Sequence, residues 1–505
     1  MATRRSLRGL RKITQSLAVR FTYQKVEKDF YREVNDRFCV AVFFLLIGGG
    51  VTGCAVKAPE SQMLKVSQMA PDSWSASKEG KSGVGRGWVN SFGDSQLNKL
   101  VAEAVRRNPD MRAADQRVHQ ARRAAYVAGS ASRPMMAAEF TKDRSKRQFF
   151  GAPFTGDQTL SGNYADLKVS WEPDLWGRIR MGHSAAISDA QSAELDAKAA
   201  KSLLAAEVSK AWFALGEANQ QLSLAKDVVK IRKQSVDMIA DRFESNLGAD
   251  GGSASQLRLA ETDLALAKAS VAQRVADVAL AKSRLELLCG RYPAGKLKGS
   301  KTLTKMAKRP PVGVPSALLQ RRPDVQAAER RYAASIARVK EANRAIFPML
   351  KLTGSTGSAS EMLENLVNGK FNTWSLGAGV TQNLLTGGRV VGEKQIRDSK
   401  AIEELAKLEG VVLTAFGEVE AALVLETWLR KRSVHIEKAY SLSKDAVASA
   451  NDDYLAGTGD ALTLLTAQSR SVEIGSQLLV LKRARLENRV DLHLALGGEF
   501  RLEKN

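Results

Sequence analysis

Proline is missing from residues 174 to 292 and again from 349 to 505, and all twelve prolines of the chain fall outside those two tracts. Proline breaks helix interiors, so very long helices can run only there. Within the first tract, Leu204, Val208, Ala211, Leu215, Ala218, Leu222, Ala225, Val229, Arg232, Val236, Ile239 and Phe243 alternate spacings of four and three. Only Arg232 departs from apolar or small character. A heptad seam of this length predicts a coiled coil, and its small residues permit close helix approach. The seam defines architecture and carries no chemistry.

The chain also contains itself twice. Pro109-Asp110 recurs as Pro323-Asp324 and Arg133-Pro134 as Phe347-Pro348, both at an offset of 214 residues. Leu175-Trp176-Gly177-Arg178 answers Thr386-Gly387-Gly388-Arg389 at 211, and Phe243 with Gly248 answers Tyr454 with Gly459 at 211. Leu288-Cys289-Gly290 corresponds to Leu496-Gly497. The predicted organisation is an N-terminal extension with signal peptide over 1–53, an extended segment 54–95, repeat 1 over 96–290, an equatorial segment 291–322, repeat 2 over 323–497 and a tail 498–505. The hairpins are expected at 177–289 and 388–496. The long helix 177–243 would measure ~100 Å, and the helices 109–133 and 253–289 together ~93 Å. Two short helices stacked end to end would thus match one long one.

Residues 38–53 (FCVAVFFLLIGGGVTG) are uncharged and follow Arg32 and Arg37. The run is short for a spanning helix and suits a signal-peptide core. Val51-Thr52-Gly53-Cys54 resembles a bacterial lipobox, which would place a covalent lipid on Cys54; the alternative is a plain membrane anchor. The chain carries 76 Lys+Arg against 54 Asp+Glu, a net +22. These cations are scattered through helical segments without a stacking platform or recognition motif, so no nucleic-acid partner is expected. Three cysteines (Cys39, Cys54, Cys289) exclude a disulfide framework. The four histidines sit in no local zinc spacing, and no nucleophile elbow occurs. An enzyme is not expected.

Each repeat also contains two strand signals, about 134–142 and 164–172, then 349–355 and 373–383. Tyr164–Glu172 places Ala165, Leu167, Val169 and Trp171 on one face; Trp374–Gln382 repeats this with Trp374, Leu376, Ala378 and Val380. Alternation over about ten residues with terminal aromatics suits transmembrane barrel strands, with Tyr164, Trp171, Trp176 and Trp374 as interfacial anchors. A soluble half-buried sheet would alternate as well; the N-terminal address favours the barrel. Four strands cannot close, and open edges cannot face lipid, so several copies must pool their strands.

Three motifs carry a family resemblance that covers most of the chain from Cys54 onward. Trp88-Val89-Asn90-Ser91-Phe92-Gly93-Asp94 is similar to a W…F.D pattern, and Ser170–Arg178 (SWEPDLWGR) to an SWE-DLWGR signature. Gly313–Asp324 (GVPSALLQRRPD) is similar to a G-PS-LL-RRPD signature continued by Ala327, Ala328 and Glu329. The chain resembles the TolC-like outer-membrane factors, in the lipoprotein branch that serves RND-type efflux pumps. The resemblance implies a mainly α fold with transmembrane β: a duplicated coiled-coil tunnel and four strands per chain, pooled into a twelve-stranded barrel by a homotrimer. It implies a passive outer-membrane exit channel with a long periplasmic extension, fed by an inner-membrane pump through a periplasmic adaptor. No cofactor beyond the Cys54 lipid is implied.

The resemblance places the adaptor-docking and gating end at the tips Phe243–Ser253 and Tyr454–Asp460. Gly248 and Gly459 would allow the sharp turns. Asp452, Asp453 and Asp460 would contribute to a charge ring, although Asp460 also reads as an ordinary N-cap. The second tip has Asp453-Tyr454 where the first has Arg242-Phe243, and residues 249–253 enlarge the first. Two rival readings stand: a type I protein-secretion conduit, and a coiled-coil structural scaffold that leaves the lipobox and strands unexplained.

Overall fold

The computed structural model describes residues 57, 59–63, 68–76, 87–151, 155–244 and 253–498; the signal segment 1–53, Cys54, Gly248 and residues 499–505 lie outside the described residues. After a 3-10 turn at Trp88–Phe92 come α1 (Ser95–Arg107), α2 (Pro109–Ser130), β1 (Met135–Phe149), β2 (Gly156–Trp171) and the helical hairpin α3 (Arg178–Glu244) and α4 (Ala254–Leu288). The short α5 (Pro315–Leu318) precedes α6 (Pro323–Arg344), β3 (Met349–Ser360), β4 (Asn372–Thr381) and the second hairpin, α7 (Arg389–Ala456) and α8 (Ala461–Ala495). The copies correspond element by element. α2 and α6 each have 22 residues, α3 has 67 against 68 in α7, and α4 and α8 each have 35.

The short helices do meet end to end, and the two joints use different chemistry. Asn108 caps α2, its Oδ1 accepting from the N–H groups of Asp110 (2.7 Å) and Met111 (3.4 Å). Its Nδ2 donates to the Leu288 carbonyl in the last turn of α4 (3.0 Å). At the equivalent point of repeat 2 stands Arg322, which cannot cap. It instead donates to Asp324 through Nε (3.0 Å) and Nη2 (2.6 Å), and through Nη1 to Glu418 (2.5 Å) and the Ala495 carbonyl of α8 (3.2 Å). The glycines that close the joints, Gly290 and Gly497, have φ of +68° and +73°. A Cβ on Gly290 would fall 2.7 Å from the Arg107 carbonyl oxygen, so glycine is required there twice over.

The seam predicted along α3 is buried at Leu204, Val208, Ala211, Leu215, Ala218, Ala225, Arg232 and Ile239. Arg232, its one charged member, is satisfied across helices: it donates to Gln468 (2.8 Å) and Ser469 (2.5 Å) of α8 and pairs with Asp263 of α4 (3.4 Å). The Trp88-to-Asp94 motif forms the equatorial core beside α3. Asp94 caps α1 through Gln96 N and Leu97 N, while its other oxygen accepts from Trp212 Nε1 (2.8 Å) and Thr304 Oγ1 (3.1 Å). Phe92 packs on Phe213 and Trp88 stacks on His493, with centroids 5.2 and 5.7 Å apart.

His493 is buried and neither ring nitrogen has a hydrogen-bond partner. Burial, with the Arg489 charge, pushes its pKa down to about 4. The folded state therefore resists protonation that the unfolded chain accepts. The contribution to stability is complete above the ordinary histidine pKa and is lost as pH falls from there to about 4, a change of about 3 kcal/mol. Replacing His493 with Phe should flatten the acid limb of a stability-versus-pH curve; an unchanged limb would exclude His493 as its source.

The strands extend further than the hydropathy alternation indicates. β1 runs to Phe149, beyond the expected 142, and β2 begins at Gly156 instead of 164. The added stretches contain Asp143–Gln148 and Asp157–Ser161, which pair without interruption. Ladder hydrogen bonds need only backbone groups, so polar side chains hide a strand that apolar patterning cannot reveal. β3 likewise continues to Ser360 through small and hydroxyl residues.

Candidate functional site

The four strands form one antiparallel sheet in the order β1-β2-β3-β4. Residues directly opposite in register share a face, so the pairing sorts the sheet into two surfaces. One carries Met136, Ala138 and Phe140 of β1; Ala165, Leu167, Val169 and Trp171 of β2; Leu350 and Leu352 of β3; and Trp374, Leu376, Ala378 and Val380 of β4. The other carries Glu139, Asp166, Lys168, Lys351, Thr353, Ser355 and Ser375 among others. Lys168 pairs with Glu139 at 2.6 Å and Ser355 with Ser375 at 2.8 Å on that polar face. The apolar face is open: Trp374 is 76% and Leu376 81% exposed. Among the described residues β1 and β4 are the unpaired edges. Among the described residues no helix is long and apolar enough to cross a membrane.

The aromatic residues separate by role. Trp171 and Trp374 stand on the apolar face. Tyr164 is displaced from its expected place at a strand end: it lies mid-strand on the polar face, its ring folded back over Gly162. Trp176 is not on a strand at all. It stands in the link from β2 to α3, stacks on Phe347 (5.1 Å, 24°) and donates its Nε1 hydrogen to the Pro348 carbonyl (2.8 Å).

That link joins sheet to helices, and the SWEPDLWGR motif builds it. Asp174 caps α3, accepting from Ile179 N (3.0 Å) and Arg180 N (2.7 Å). Gly177, at φ +78°, presents its carbonyl to Arg344 Nη1 (2.9 Å), the last residue of α6. Arg178 pairs with Glu172 at 2.7 Å. Sequence reasoning found the motif but not its partners Arg344 and Phe347, which come from the other repeat and leave no local signal.

At the opposite end the two hairpins meet. Arg242 of α3 places its guanidinium 4.3 Å from the Tyr454 ring centroid and donates to the Tyr454 carbonyl (2.6 Å). Tyr454 is buried with Ile239, Ala260, Ala461, Leu464 and Leu465. Phe243 beside it is 43% exposed, and Asp452 and Asp453 are exposed. Asp460 is an N-cap: it accepts from Thr463 N (2.9 Å) and Thr463 Oγ1 (2.7 Å), and these bonds hold its carboxyl below the usual range. The turn glycine is not Gly459 but Gly457, which has φ +83° and ends α7. Gly459 serves by proximity, since a Cβ there would sit 3.0 Å from Asp453 Cβ. The first of two glycines after a periodic helix is the usual left-handed cap, a signal that would have found Gly457.

Nothing at these places resembles a reaction centre. Burial and the Glu103 charge push the Cys289 thiol up to about 11, which keeps it protonated. No group of His, Cys, Asp or Glu that could hold a metal occurs among the described residues.

A sheet with one lipid-compatible face and one polar face, mounted on long paired helical hairpins, is the build of an outer-membrane channel. Residues 100–291 and 314–498 match the family described as outer membrane efflux protein, and the chain belongs to that family. It is 27% identical over 471 residues to the cation efflux system protein CusC of Escherichia coli O6:H1, covering 91% of this chain and 97% of that protein. It is 28% identical over 434 residues to the outer membrane protein OprJ of Pseudomonas aeruginosa, covering 85% and 90%. The solved structure of the outer-membrane channel OprN superposes with a TM-score of 0.79 at 26% identity, covering 85% of this chain and 97% of that one. The protein is thus an efflux channel of the outer membrane, with the fold of the family's trimeric channels.

Proposed function

We propose that three copies of this chain pool their sheets into a twelve-stranded barrel whose polar face lines an aqueous lumen. The helical hairpins continue it as a periplasmic tunnel. Small solutes handed over by an RND-type inner-membrane pump and a periplasmic adaptor leave through it passively, with no reaction and no cofactor. One observation carries this reading: an apolar face runs across all four strands, wide open at Trp374 and Leu376, and among the described residues neither outer sheet edge is paired. Lipid covers such a face and closure satisfies such edges.

A lipid on Cys54 belongs to the same reading, because Val51-Thr52-Gly53-Cys54 resembles a lipobox. The Lys57 carbonyl accepts from Ser184 Oγ (2.7 Å) in the second turn of α3, next to the sheet. The following segment is tied down as well. Gln62 N donates to Glu329 (2.6 Å), Trp74 Nε1 to the Gly313 carbonyl (2.9 Å), and Ser75 N and Ala76 N to Glu420.

The periplasmic tips of α3 and α7, with Phe243, Gly248, Asp452, Asp453, Tyr454, Gly459 and Asp460, form the adaptor-docking and gating end. Asp452 and Asp453 are the gate's charge ring, because they are exposed beside the buried Tyr454. Replacing both with Ala should raise single-channel conductance in planar bilayers. An unchanged conductance in a correctly assembled channel would remove them from the gate.

A further inference from the structure

The apolar face of β1 does not end at a neutral rim. After Met136, Ala138 and Phe140 the same face continues as Lys142, Arg144 and Lys146, opposite Asn163, Ser161 and Thr159 of β2. The β2–β3 pairing stops at Asn163 and Ser360, so Arg144 and Lys146 stand on a two-stranded hairpin that projects past the rest of the sheet. All three cations are exposed. Lys146 pairs with Asp157, whereas Lys142 and Arg144 form no ion pair among the described residues. The polar face of this stretch carries Asp143 and Arg147, which balance. The excess positive charge is therefore confined to the lipid side.

We propose that this row docks the phosphate groups of anionic lipid in the outer leaflet, once on each copy of the chain. The proposal rests on the barrel reading above. The helices attach where β1 begins and β2 ends, so the hairpin lies at the outward end of the sheet. Along the strand Lys142 lies ~20 Å beyond Met136 and Lys146 a further ~13 Å. At a tilt of about 40° the second interval becomes ~10 Å along the membrane normal. The polar layer of one leaflet is about 5–7 Å deep, so Lys142 and Arg144 fall within it and Lys146, already paired with Asp157, lies beyond it. Phe140 sits just below, where the hydrocarbon ends, and Trp374 is one step further in, at the register of Ala138. A soluble anion crossing the lumen would not meet this row, which favours a lipid over a free anion.

The test uses full-length, detergent-purified protein and a glucosamine-based lipid in diphosphorylated and phosphate-free forms, with binding read by native mass spectrometry. The unaltered protein should prefer the phosphorylated form about 30-fold, as two unpaired cations imply. The Lys142→Gln, Arg144→Gln double variant should bind both forms alike, and the charge-preserving Lys142→Arg, Arg144→Lys variant should keep the preference. Equal binding of both forms by the unaltered protein would overturn the proposal. So would a preference surviving in the neutral variant, or competition by millimolar inorganic phosphate, which marks a free-anion site. Conductance of the same preparations in uncharged bilayers reads the barrel separately. Loss of preference with conductance intact supports the docking row; an unaltered protein that never conducts overturns the barrel and the row together.

Discussion

Arg322→Ala is expected to lower the unfolding free energy by about 3 kcal/mol. Arg322 is 7% exposed and joins three elements: Asp324 at the start of α6, Glu418 on α7 and the Ala495 carbonyl at the end of α8. Breaking a buried pair costs about 3–5 kcal/mol because the partner charge is left uncompensated. Asp324 and Glu418 are partly exposed, so water screens them and the lower end of that range applies. The effect should depend on pH with a definite sign. Burial raises the Asp324 pKa, but the hydrogen bond and charge of Arg322 outweigh it and hold the carboxyl below its ordinary value. The stabilisation is present above the ordinary carboxylate pKa and disappears as pH falls through the lowered one. The gap between wild type and variant, read by denaturant unfolding, should close in acid. Arg322→Asn provides a control, because Asn108 does the corresponding work in repeat 1. It should recover part of the loss by capping α6. A stable Arg322→Ala protein would mean that the joint does not hold α6, α7 and α8 together.

Leu376→Arg and Ser375→Arg should have opposite outcomes although the residues are neighbours. Leu376 lies on the apolar face, opposite Gly354; Ser375 lies on the polar face, hydrogen-bonded to Ser355. An arginine facing lipid near the bilayer midplane costs about 2–4 kcal/mol per copy, whereas one facing the lumen costs little. Every copy in a closed barrel bears the penalty, so Leu376→Arg should abolish assembled channel in the outer membrane at any expression level that yields it for Ser375→Arg. In a sheet facing water, Leu376 would already be solvated and the two variants would assemble equally.

The long helices, the duplication and the sheet were legible because each rests on a periodic signal. The heptad seam from Leu204 to Ile239 and the alternation from Ala165 to Trp171 need no partner to be read. What escaped was set by contacts distant in sequence or by backbone alone. The outer halves of β1 and β2 carry Lys142, Arg144 and Asp157, whose polarity hides a continuous ladder. Tyr164 looks like a terminal anchor until the register puts it on the polar face. Trp176 belongs to the junction because Phe347, from the other repeat, stacks on it. At the second tip, Gly457 takes the left-handed conformation that the spacing to Gly248 assigned to Gly459. The RRPD signature was visible as a pattern, but its purpose emerges only where Arg322 meets the Ala495 carbonyl.

The most direct test of the pooled barrel is the protein mass of the particle extracted by mild detergent from isolated outer membranes, read by light scattering corrected for detergent. Three lipidated chains, about 150 kDa of protein, are expected from a sheet that contributes four strands to a closed barrel of twelve. A single chain of about 50 kDa that remains folded under the same conditions, with both sheet edges unpaired, would contradict it.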